Sequence, residues 1–143
     1  MKQDTIDLLN AVTKNTEMAK HTANDLAKMA QSPVMRRMLD GQVQTYEDLQ
    51  NRARAMLAVG GEEPKGQNPM AKISAKLELK RKTMTDRSEQ NLAQMMVKGN
   101  AMGARDMEKA VKKSPDANVG AVALANRVKR AETQFAQDMK RFL

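Results

Sequence analysis

The chain has 143 residues, enough for one domain with a sizeable core, and its 41% apolar and 29% charged content is that of a folded protein rather than a disordered one. It contains no Cys, no Trp, one Tyr, two Phe and 13 Met, which excludes a disulfide framework, a thiolate metal site and a cysteine nucleophile. Net charge is +8, yet nine Lys/Arg balance nine Asp/Glu over residues 1–71, so the whole excess falls in 72–143, where sixteen face eight.

No apolar stretch approaches the ~18 residues of a membrane span. Asp4 and Asp7 interrupt the apolar residues of the first ten positions, unlike a secretory signal, so a cytoplasmic protein is expected. Ala, Met, Lys, Gln, Leu and Glu dominate over β-branched and aromatic residues, which predicts an all-α protein.

The first helix is predicted over about residues 4–30, with a core-facing stripe of Leu8, Val12, Asn15, Ala19, Thr22, Leu26 and Met29 in steps of four and three. Ser32-Pro33 then supplies an N-cap and a proline at the first helical position, where its missing N–H costs nothing. The second helix runs to about Val59, with stripe Met35, Leu39, Gln42, Tyr46, Leu49, Ala53 and Met56, and Gly60-Gly61 end it. After a polar loop over 62–67, Asn68-Pro69 opens a shorter helix to about Met84.

Asp86 and Glu89 have the spacing of a capping box, with Asp86 as N-cap of a third long helix over 87–113. Its apolar positions are Leu92, Met95, Met96, Met102 and Ala110. Ser114-Pro115-Asp116 is a tight turn, and the last helix, about 117–142, carries Ala121, Leu124, Val128, Ala131, Phe135, Met139 and Phe142. The two short connections allow only antiparallel hairpins, and the 60–85 connection is long enough to run the length of the molecule. A single four-helix-bundle domain over 1–143 follows, with two hairpins joined by a crossover containing a short helix.

That plan, with Tyr46-Glu47 in the second helix, Asp86-Arg87-Ser88 opening the third and Gly99-Asn100-Ala101-Met102-Gly103 within it, resembles small bacterial proteins of ferritin-like four-helix-bundle architecture. The resemblance implies the ferritin-like fold and carries no agreed activity with it. A di-iron centre in such a bundle needs inward carboxylates and two Glu-x-x-His motifs. The chain has one histidine, His21, paired one turn away with Glu17 on a predicted outer face. No serine triad, phosphate-binding glycine loop or dinucleotide fingerprint is present either. A non-enzyme without a cofactor is expected.

Most of the methionines fall on or beside the apolar stripes, where they fill a core short of aromatic rings; soft-metal ligation and an adaptable binding groove are the alternatives. Asn15, Tyr46 and Asp106 form a candidate polar core at the midpoint of the helices, beside Gly99 and Gly103. One reading gives the glycines the task of making room for the Tyr46 ring, with Asn15 and Asp106 in internal hydrogen bonds. The other is a polar cavity of the kind that holds a ligand.

Lys72, Lys76, Lys80, Arg81 and Lys82 oppose Met70, Ile73 and Leu77 on the short helix, a candidate face for an acidic partner. Nucleic acid is disfavoured there by the lack of aromatic stacking residues. The function these features favour is non-enzymatic protein–protein interaction, as a homodimer or with another protein. A ferritin-like metal- or small-ligand-binding protein and a non-specific polyanion binder are the alternatives.

Overall fold

The computed structural model describes residues 1–63, 80 and 84–143. Four long helices, α1 (Gln3–Met29), α2 (Pro33–Val59), α3 (Glu89–Lys112) and α4 (Val119–Met139), form an all-α bundle, and a 3₁₀ turn (Lys140–Phe142) follows α4. The expected short helix over 69–84, with Lys72, Lys76, Arg81 and Lys82, lies outside the described residues; Lys80 is described and exposed.

The helix boundaries come from local chemistry. Ser32 caps α2, its hydroxyl accepting the Met35 N–H at 3.3 Å, with Pro33 just inside. At the other end Gly61 takes φ +76°, which lets the Gly61 N–H reach the Ala58 carbonyl and the Glu62 N–H reach that of Leu57. Those two bonds are the Schellman arrangement that glycine makes cheap.

The start of α3 differs from expectation by two residues. Ser88, not Asp86, is the N-cap and accepts the Asn91 N–H at 3.2 Å, while Asp86 accepts the Ser88 N–H in a turn before the helix. The short Asp86 side chain thus bends the approaching chain instead of closing the first turn. Helix α4 likewise starts later than expected, because Asn118 is its cap and accepts the Ala121 N–H at 2.8 Å.

The hairpins α1–α2 and α3–α4 pack together, and α1 touches both α3 and α4 while α2 touches α4. Asp4 accepts the Asp116 N–H at 2.8 Å and Thr5 accepts the Asn118 N–H at 2.9 Å, so the start of α1 pins the α3–α4 turn. That places α1 antiparallel to α3 and parallel to α4.

The core is split in two. One apolar compartment gathers Leu8, Leu9, Val12, Leu49, Ala53, Leu57, Met107 and the Ala121–Val128 part of α4. The other gathers Ala23, Leu26, Met29, Met35, Leu39, Leu92, Met96 and Met139. Between them the buried residues are Thr13, Thr16, Gln42, Tyr46, Gln50, Asn100 and Glu132. The two threonine hydroxyls return to carbonyls of their own helix, Thr13 to Leu9 and Thr16 to Val12.

Fully burying a Leu or Met contributes roughly 1.5–3 kcal/mol, whereas a buried polar group without a partner costs ~1–3 kcal/mol. The polar waist is therefore where this sequence gives up stability.

Two stripe assignments are corrected. The buried face of α1 turns toward Thr16 and Ala23, leaving Asn15, Ala19 and Thr22 only half-buried. On α3 Leu92 and Met96 are buried as expected, but the buried positions further along are Asn100 and Met107, and Met102 is 48% exposed. Asn15, Ala19, Thr22 and Met102 line a groove between α1 and α3 instead of the packed core.

Candidate ligand pocket at the bundle waist

The groove between α1 and α3 is a cavity of about 360 Å³. Alanine and glycine, at Ala11, Ala19, Gly99 and Gly103, keep its walls back, and Met18, Met96, Met102 and Met107 line it with thioethers. Met18 and Met102 stand half-exposed at the rim, with Lys14 and Asp106 exposed beside them. Glu132 reaches the cavity from α4 and is 1% exposed.

Glycine at 103 is what admits the Glu132 side chain. A Cβ at Gly103 would overlap the carboxylate. A Cβ at Gly99, by contrast, would meet no atom within 4 Å, so that glycine borders open space. The Asn15 amide donates to the Gly103 carbonyl at 3.0 Å, tying α1 to α3 across the groove. This leaves Asn15 Oδ1 without a hydrogen-bond partner, and Glu132 Oε1 is unpartnered as well.

Burial, and after it the negative charge of Asp106, push the Glu132 carboxyl up to about 8 against the pull of the Asn15 side chain. Carboxylates that share a small volume disfavour ionisation together. On the other side of the waist the Tyr46 hydroxyl donates to Asn100 Oδ1 at 2.9 Å, and its ring meets Phe135 edge-on with centroids 5.5 Å apart. Burial first, and Glu132 second, hold the Tyr46 phenol far above its ordinary value.

Periodicity puts Asn15 and Tyr46 at a similar depth with Asp106 further along the third long helix, and the structure sets these residues on two sides of the core. Asn15 and Asp106 border the cavity with Gly99 and Gly103, whereas Tyr46 is buried away from it against Asn100 and Phe135. Asp106 is exposed at the mouth and acts on Glu132 through its charge, not through an internal hydrogen bond. Gly103 makes room for Glu132 rather than for Tyr46.

Glu132 itself was missed. It stands four residues after Val128 and seven before Met139, in register with the stripe, beside Ala131, which is half-buried and packs against the core. A glutamate at that position reads as surface until a neighbouring helix is seen to leave room for it.

His21 lies 4.0 Å from Glu17 and does not border the groove; it is partly exposed as expected, but the Glu17 side chain is mostly covered. Among the described residues no three His, Asp or Glu side chains converge as they would to hold a metal ion, and no helix is long and apolar enough to cross a membrane.

No protein-family model matches the chain and no curated protein matches it in sequence. Among solved structures a point mutant of Mycobacterium smegmatis Dps1 is similar, at 15% identity and a TM-score of 0.72, over 99% of this chain and 97% of that one. The chain therefore has the ferritin-like four-helix-bundle fold.

Proposed function

We propose that the protein is a binding bundle rather than a catalyst, and that the groove between α1 and α3 takes a small, mostly apolar ligand. The observation that carries this reading is the coincidence, in one cavity of about 360 Å³, of a methionine-rich wall and a buried carboxyl. Small-molecule sites are concave, mostly apolar and roughly 300–1,000 Å³, with a few convergent polar groups that fix orientation. Methionine side chains adapt to a range of shapes. The groove lining holds no Ser, Cys or His, and its one hydroxyl, that of Thr22, donates to the Met18 carbonyl.

A second reading keeps the protein-interaction role expected from sequence. The half-exposed Met18 and Met102 would then meet a second copy or another protein across the rim. Sedimentation of the protein, and of a Met18→Gln/Met102→Gln variant, tests it.

The main reading is tested by following thermal stability against a panel of small apolar compounds. Compounds that bind should raise the midpoint of the wild-type chain. Gly99→Leu should abolish the rise while leaving the fold intact, because a side chain there extends into open groove. Equal binding by the two proteins would show that the ligand sits elsewhere and overturn the reading.

A further inference from the structure

Resting on the groove being a ligand site, we infer that the ligand carries a primary ammonium group at one end, seated against Glu132 and the Asn15 side-chain oxygen, with an alkyl chain along the methionines. The two side-chain atoms the groove holds without partners are Asn15 Oδ1, an acceptor, and Glu132 Oε1, which is an acceptor once Glu132 is ionised. One of the two Asn15 N–H donors goes to the Gly103 carbonyl and the Asn15 side chain also steadies the Glu132 carboxylate, yet Glu132 Oε1 stays without a partner. The complement of a pair of orphaned acceptors is a group rich in donors, and an ammonium offers three donors and no acceptor. Leaving such acceptors unanswered is costly, so a donor brought by a ligand is strongly rewarded.

Charge selects the cation over a neutral donor. Around Glu132 stand Lys14 and Asn15 on α1 and Asp106 on α3, which line the groove with it, and Tyr46 on α2, whose phenol feels its charge. The phenol stays neutral, and Lys14 is exposed at the mouth. Once Glu132 is ionised, two acids face one lysine, and the resulting negative bias of the inner groove repels a fatty-acid carboxylate and favours an alkylammonium. The wall of Ala11, Met18, Ala19, Met96 and Met102 suits the hydrocarbon part.

Proton balance follows. In the free protein near neutrality Glu132 holds its proton, and seating an ammonium releases it to solvent. Affinity for an alkylamine therefore rises with pH until Glu132 is ionised, up to about 8, by at most about tenfold per pH unit. A carboxylate ligand would show the opposite trend.

Calorimetric titration of the full chain with octylamine, octanol and octanoate separates the possibilities. Octylamine should bind about tenfold or more tightly than octanol, with octanoate weakest. The octylamine advantage should grow from about pH 6 to pH 8 and vanish in Glu132→Gln. Equal binding of octylamine and octanol, or a preference for octanoate, would overturn the ammonium assignment and leave the groove standing. Binding of none of the three would overturn both. The pH trend in the wild-type chain decides the matter even if Glu132→Gln unfolds.

Discussion

Gly103 of α3 faces Glu132 of α4 so closely that a methyl group at 103 would occupy the place of the carboxylate. Glycine costs ~1 kcal/mol relative to alanine inside a helix, so alanine should stabilise any glycine position with free space. The two α3 glycines are expected to part company. Gly99→Ala should stabilise by about 0.5–1 kcal/mol, and Gly103→Ala should destabilise by about 1–3 kcal/mol because the carboxylate must move. Adding Glu132→Ala should recover most of that loss, a coupling that a double-mutant cycle in urea would read directly.

Stability should fall as pH rises. Glu132 is raised to about 8 from an ordinary 4.5, so the fold holds this proton more tightly than the unfolded chain does. The stabilisation that proton brings is complete below the unfolded value and is lost as pH climbs through the folded one, at up to ~1.4 kcal/mol per pH unit. Glu132→Gln should flatten the profile between about pH 5 and pH 8 and be the more stable protein near pH 9. Urea midpoints across that range give the comparison, and parallel profiles would show that Glu132 titrates like a surface acid.

Tyr46 is the chain's one tyrosine, and there is no tryptophan, so absorbance of the phenolate reports it alone. Buried against Asn100 and near Glu132, the phenol should stay neutral in the folded protein at a pH where denatured chain is ionised. Its appearance should coincide with unfolding. Tyr46→Phe leaves Asn100 Oδ1 without its donor, beside an Nδ2 that already lacks a partner, and should cost about 1–3 kcal/mol. Tyr46→Phe with Asn100→Leu should recover part of it, since removing both partners is cheaper than removing one.

The helices, their caps at Ser32 and the glycine stop at Gly60-Gly61 were legible because each rests on residues adjacent in sequence. The polar depth of the core was legible too, through Asn15 and Tyr46 in otherwise apolar stripes. What the sequence hid depends on how far the helices stand apart. Periodicity places Asn15, Ala19 and Thr22 on an inward face, but cannot say that α3 recedes from them; the glycines at 99 and 103 were the trace of it. Glu132 escaped for the same reason, since only the missing side chain at Gly103, 29 positions earlier, makes its burial possible.

The most direct measurement is a carbon-13 NMR titration of the Glu132 side-chain carboxyl, assigned by comparison with Glu132→Gln. A buried carboxyl facing a groove beside Asp106 should titrate with a midpoint of about 8, and octylamine should move that midpoint down. A midpoint in the ordinary glutamate range near 4.5, unchanged by octylamine, would show a solvated side chain and contradict the account of the waist as a ligand site.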